Sequence, residues 1–296
     1  MADNTNPASA NEYIEQQLHG LLSAIEKRFD ADAICFVGPL IPGVDDIIRV
    51  AIENKQEESP KEKLVVIVTT NGGLLEVVQR IVETLRNFYD TVDFVVPNYA
   101  YSAGTVFVMS GDAIYMDYYS RLGPTDPQIE NKEGRLIPAL GYVKRFEKLV
   151  QEARAGGISQ AEIQLLISGF DQAVLYQFEQ AQQLSITLLK EWLPKYKFKN
   201  WKITETSKKP VTDEMRAKRA EEIAAQLCDS DRWHTHGRGI SKDVLDNDLG
   251  LKIKDFGKDV ELSTEIRDYQ NLISDYMGKM GNRCVLHTVG AYRVLG

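Results

Sequence analysis

Lys63-Leu64-Val65-Val66-Ile67-Val68-Thr69-Thr70-Asn71-Gly72-Gly73 is the stretch whose reading decides the fold. Residues 63–69 are a run of Val, Ile and Leu with no polar side, which reads as a strand apolar on both faces and therefore covered on both, as in a parallel sheet. Thr70 to Gly73 ends that strand, and the apolar positions 74, 75, 77, 78, 81, 82, 85 and 88 then set a helix over Leu74 to Phe88.

The same alternation extends on both sides. Ala33 to Val37 reads as a buried strand and Asp45 to Asn54 as a helix. Thr91 to Val96 is a strand, a helix starts near Ser102, and Ala113 to Met116 closes the series. Strand and helix in alternation specify an α/β layer with right-handed crossovers, whose functional loops lie at the carboxyl ends of the strands.

Outside this core the pattern is helical. An amphipathic opening helix over Ala8 to Arg28 carries Tyr13, Leu18, Leu21, Leu22 and Ile25 at helical spacing, with packing or oligomer contact as its role. From Pro138 onward, helices are expected at Ala139 to Ala153, Ser159 to Trp192 and Asp213 to Cys228. A mixed stretch over Ile240 to Phe256, a helix near Thr264 to Met280 and a Val-rich tail from Cys284 to Leu295 follow. The expected organisation is an N-terminal helix at 1–30, an α/β core at 31–135, and a helical half at 136–296 completing the same domain.

Composition narrows the function classes. The 296 residues are 43% hydrophobic and 26% charged, an ordinary globular balance. A net charge of −8 repels phosphate backbones and anionic membranes at long range, which disfavours nucleic acid as the main partner. No apolar run reaches the roughly 18 to 20 residues of a membrane helix. The polar N-terminus lacks the pattern of a secretory signal, and the three cysteines are scattered, so a reducing, cytoplasmic compartment is expected.

Two loops carry chemistry. Thr70-Asn71-Gly72-Gly73 presents backbone amides at a helix start, an arrangement that holds anions or serves as a tight turn. Pro97-Asn98-Tyr99-Ala100-Tyr101-Ser102-Ala103-Gly104-Thr105 places a serine where a strand becomes a helix, suited to capping that helix or to nucleophilic attack. Taken together, the loops put two amide-rich termini on one sheet edge, where one amide from each can flank a carbonyl.

This arrangement resembles the Clp peptidase and crotonase superfamily, whose oxyanion amides come from a Gly-Gly turn and from the residue after a serine; here those positions are Gly73 and Ala103. Ser120-Arg121-Leu122-Gly123-Pro124-Thr125-Asp126-Pro127-Gln128 and Thr235-His236-Gly237-Arg238 look closest to the serine dehydrogenase proteinase family within it. The resemblance covers about residues 30–255. It implies a Clp/crotonase-like parallel sheet with flanking helices and a helical C-terminal half. It also implies Ser102 as nucleophile and a homo-oligomer, of trimer, tetramer or hexamer-ring type.

The base is open among several residues. In Clp peptidases a histidine follows the Ser-Arg pair by four residues, but the corresponding position is Thr125. The resemblance implies a triad in the order Ser102, Asp126, His236, with His234 nearby. Asp126 otherwise reads as a turn residue between two prolines, and His236 as a loop imidazole. A desolvated lysine is the rival base, and Lys144, 42 residues after Ser102, is its candidate. Cys228, His234, His236, Cys284 and His287 also have the residue types of a zinc site, although the Cys-x2-His pair at 284–287 is far in sequence from the others. No metal or cofactor is assigned.

The expected function is a serine peptidase acting on peptides or unfolded polypeptides. The alternatives are a non-catalytic scaffold that keeps the fold without a working base, and an acyl-CoA enzyme stabilising an enolate with the same amides.

Overall fold

The computed structural model describes residues 9–58, 60–126, 128–130, 136–138, 148–157, 159, 164 and 172–295. Helix α1 spans Ala10–Phe29 and leads into strand β1 at Asp32–Val37. Helix α2 (Val44–Glu58), strand β2 (Lys63–Thr69), helix α3 (Leu75–Phe88) and strand β3 (Thr91–Val95) follow. The short β4 (Tyr99–Ala100) precedes α4 (Ala103–Met109), β5 (Ala113–Met116) and β6 (Arg121–Leu122). Strands β7 (Gln128–Glu130) and β8 (Leu136–Pro138) pair with each other.

The C-terminal part supplies α5 (Gln172–Trp192), a π-turn at Leu193–Lys197, α6 (Asp213–Leu227) and α7 (Ser230–Trp233). Strand β9 (Ile240–Ser241), α8 (Lys242–Asn247), β10 (Lys254–Asp255), α9 (Val260–Met280), β11 (Val285–Thr288) and β12 (Ala291–Val294) complete it.

Seven strands form the main sheet in the order β10-β5-β3-β2-β1-β11-β12. The strands from β10 to β1 run parallel, as the doubly apolar β2 requires. The Val-rich tail extends this sheet with two antiparallel strands: β11 joins β1 antiparallel and β12 turns back on β11. A hairpin is the short connection available to adjacent antiparallel strands, whereas another parallel strand needs a crossover.

Alternation along each strand assigns its side chains to the two faces. Ile34, Phe36, Val66 and Val68 pack towards α2, α3, α4 and α5, while Ala33, Cys35, Val65 and Ile67 pack towards α1 and α9. Each such buried Val, Ile or Phe contributes about 1.5–3 kcal/mol relative to exposure. Helix α9 starts at Val260, ahead of the expected Thr264, because the Asp259 side chain accepts from the Leu262 amide and caps it. Among the described residues no helix is long and apolar enough to cross a membrane.

Candidate active site

The two loops that follow β2 and β3 are tied together by their backbones. The Thr70 amide donates to the Tyr99 carbonyl at 3.1 Å and the Tyr101 amide donates to the Thr70 carbonyl at 2.9 Å. This pairing brings the Gly-Gly turn against the start of α4. At Gly72, with φ of 104°, a Cβ would stand 2.9 Å from the Cβ of Ser102 and 2.8 Å from the Tyr101 carbonyl oxygen. At Gly73, with φ of 153°, it would stand 2.2 Å from the Leu40 carbonyl oxygen. Only glycine permits both the dihedrals and this closeness.

Ser102 does not cap α4. Its side chain makes no capping hydrogen bond, and its backbone sits at φ 53° and ψ −122°. This region is sparsely populated for a residue with a Cβ and costs about 1–3 kcal/mol, a strain that clusters at functional sites. The strand-turn-helix context is that of a nucleophile elbow. Neither the Gly73 amide nor the Ala103 amide has a hydrogen-bond acceptor among the described residues. Both residues line, with Ser102, one cavity of about 470 Å³.

The helix carrying Ser102 is clamped to the following loop. The Thr105 hydroxyl accepts from the Gly123 amide at 2.9 Å and has the Ala100 carbonyl oxygen within 2.8 Å. Further along that loop, the Thr125 amide donates to the Leu227 carbonyl at 3.0 Å, and the Thr125 hydroxyl lies 3.2 Å from the Cys228 sulfur. The end of α6 thus fixes Thr125, which lines the Ser102 cavity.

The next residue, Asp126, meets His236. Asp126 Oδ1 lies 3.0 Å from His236 Nδ1, and the two residues are 1% and 8% exposed. A buried carboxylate on one ring nitrogen holds the imidazole in one tautomer and leaves Nε2 to exchange a proton. Asp126 Oδ2 is buried without a partner among the described residues. His236 makes no hydrogen bond to Ser102, whose hydroxyl has no partner among the described residues.

Residues 41–200 match the model of the ClpP-like SDH-type serine proteinases, more than half of the chain. The chain belongs to that family. Two uncharacterized proteins of Methanocaldococcus jannaschii are similar to this SDH-type member. One is 33% identical over 106 residues, covering 33% of this chain and 35% of the relative. The other is 30% identical over 127 residues, covering 41% and 42%. The chain therefore spans well under half the length of these relatives.

Among solved structures, a mutant of 1510-N, a membrane-bound stomatin-specific protease, matches at 19% identity. Its TM-score is 0.31, over 40% of this chain and 61% of that one. A second mutant of the same protease, in complex with a substrate peptide, matches at 21% identity and a TM-score of 0.32, over 40% and 57%.

The remaining sequence candidates fall elsewhere. Lys144 lies outside the described residues. His234 takes a left-handed backbone, φ 64°, at the end of α7 and makes no contact with Asp126. Cys228 contacts Thr125, and His287 on β11 contacts His19 on α1, so the zinc-like residue set is dispersed over separate neighbourhoods. Among the described residues no group of three His, Cys, Asp or Glu side chains is arranged to hold a metal ion.

Sequence reading missed the wall that α5 adds to the cavity through Ala181, Leu184 and Ser185. Ser185 is 1% exposed, and its hydroxyl makes no conventional hydrogen bond among the described residues. Its signal was a polar residue interrupting the apolar run around Leu184, Ile186, Leu188 and Leu189.

Proposed function

We propose that this SDH-type family member is a serine peptidase in which Ser102 attacks a peptide carbonyl and the amides of Gly73 and Ala103 receive the oxyanion. The observation that carries the reading is the elbow at Ser102, close against Gly72 and sharing one cavity with two amides that have no acceptor among the described residues. A serine in a capping role would bond its own helix, and this one does not.

In this reading His236, oriented by Asp126, takes the Ser102 proton during attack and returns it to the leaving amine. The apolar wall formed by Leu74, Leu75, Val106 and Leu184 supports a polypeptide substrate in extended form. The protein acts in the cytoplasm as a homo-oligomeric, Clp-like assembly. Closure of His236 onto Ser102 accompanies substrate binding or assembly, since catalytic hydrogen bonds often tighten only then.

The missing Ser102–His236 bond also favours a second reading, a scaffold with the fold but no working base. A fluorophosphonate probe separates the two. Labelling at Ser102, abolished in Ser102→Ala and strongly reduced in His236→Ala, supports the peptidase. Absence of labelling leaves the scaffold. Labelling that survives His236→Ala but disappears in Lys144→Ala reassigns the base to Lys144.

A further inference from the structure

A second cavity, of about 830 Å³, opens at the opposite end of the sheet. Ala113 and Lys254 line it, and these residues begin the parallel neighbours β5 and β10. Ser102 and the Gly-Gly turn follow the carboxyl ends of β3 and β2, so the sheet separates the two sites.

The cavity gathers Lys197, Lys202 and Lys254 in a chain whose net charge is −8. None of the three is paired with a carboxylate among the described residues. Lys197 donates to the Lys252 carbonyl, Lys254 donates to the Tyr115 hydroxyl at 2.9 Å, and the Lys202 ammonium has no partner there. Two of the three carboxylates lining the same cavity are engaged elsewhere. Asp112 is held by Arg86 and Lys199 and Glu205 by Lys252, while Asp246, which accepts from the Ile253 amide, keeps its charge. Burial pushes the Lys197 pKa down to about 8, against the pull of Asp93, Asp246 and Asp112 and with repulsion from Lys254.

Set against Asp246, the three ammonium groups still leave an excess of positive charge, which suits a phosphate carrying about −1.5 to −2 at neutral pH. Trp201 lines the cavity and is half-buried, so part of its indole faces open space, and Phe198 packs edge-on against it with ring centroids 5.9 Å apart. An indole face takes a planar ring by stacking, and adjacent cations bind the phosphate attached to it. The cavity volume falls in the usual range of small-ligand sites, about 300–1,000 Å³.

We infer that this cavity is a binding site for a small phosphate-bearing compound with a planar ring, a nucleoside monophosphate in chemical class. Lys197, Lys202 and Lys254 hold the phosphate and Trp201 takes the ring.

Trp201 is also the reporter. The other two tryptophans, Trp192 and Trp233, are 3% and 4% exposed, so acrylamide quenching of the full-length protein reads mainly Trp201. Adenosine 5′-monophosphate is expected to protect that fluorescence saturably. Adenosine, lacking the phosphate, is expected to bind about tenfold or more weakly, the effect of one lost charge-assisted contact, and pyrophosphate, lacking the ring, about tenfold more weakly through the lost stacking on Trp201. Lys202→Glu, at an exposed position, and Lys197→Met each lower the apparent affinity by about the same factor. Circular dichroism of both variants verifies that they are folded. Lack of protection by adenosine 5′-monophosphate, or undiminished protection in both folded variants, overturns the site. Equal binding of pyrophosphate overturns the ring contact, and equal binding of adenosine overturns the phosphate contact.

Discussion

Asp126 and His236, 110 positions apart in the chain, meet through a buried 3.0 Å contact, and Asp126 directly follows Thr125, which lines the Ser102 cavity. Thr125, fixed by the end of α6, carries one partner, and the loop after α7 carries the other. If this pair works on Ser102, Asp126→Asn keeps its shape but holds the wrong imidazole tautomer. The expected loss in acylation rate is about 10³–10⁴-fold, with urea unfolding changed far less. A rate within a few-fold of the parent chain removes Asp126 from the chemistry.

Gly72→Ala introduces the Cβ that would stand 2.9 Å from the Ser102 Cβ. Strain and displacement at a positive φ predict a destabilisation of about 1–3 kcal/mol and near-complete loss of probe labelling. Thermal unfolding and labelling, measured side by side, check both parts. A fully reactive and stable variant contradicts the described elbow.

On the far face of the sheet, His19 and His287 form a pH-sensitive tie between α1 and β11. The Gly290 amide donates to His19 Nδ1, so that nitrogen accepts, and the Nε2–H of His287 at 2.9 Å is its second donor. His287 Nδ1 then accepts from the Tyr269 hydroxyl at 2.8 Å. Burial, reinforced by the neighbouring His19, lowers the His287 pKa to about 3; burial also lowers that of His19, with Glu15 opposing. The unfolded chain therefore binds protons that the folded chain refuses. Stability is full above the unfolded value of about 6.5 and falls as pH drops towards 3, by up to about 1.4 kcal/mol per pH unit per proton. Urea unfolding from neutral to about pH 4 measures the slope, and a His19→Leu, His287→Leu pair is expected to flatten it. An unchanged slope refutes the tie.

Arg86 bridges α3 to the start of β5. Its guanidinium lies 2.7 Å from Asp112, with both side chains 9% exposed, and 3.7 Å from the Tyr196 ring centroid. Burial would raise the Asp112 pKa, but Lys199, the Val92 amide and Arg86 together hold it below the ordinary carboxylate value. Arg86→Met removes one of these partners and is expected to cost about 3–5 kcal/mol, the usual penalty for breaking a buried pair. Denaturant unfolding tests this; a loss below about 1 kcal/mol would mean that Lys199 alone suffices.

The core elements were legible because their signals are local. An apolar run such as residues 63–69 has no polar face to offer water, and the spacing from Leu74 to Phe88 admits a helix packed on one side. The tail's antiparallel return was not legible, since the Val-rich stretch over Cys284 to Leu295 carries strand propensity without direction. The contribution of α5 to the cavity was hidden for a related reason. Periodicity identifies a buried helix face but not the surface it meets, so Ser185 gave no sign of facing the Ser102 cavity.

By itself, the amino-acid order determined the alternating strands and helices, the glycines that let two loops touch, and a serine where a strand becomes a helix. Hydrophobic periodicity and backbone sterics act over a few residues, so they can be read along the chain. Tertiary structure alone decided that Ser102 is strained instead of capping, that Asp126 chose His236 over His234, and that His19 found His287. Each of those outcomes depends on which distant segments share a buried space, where an unpaired polar group is costly and one correctly placed partner satisfies it.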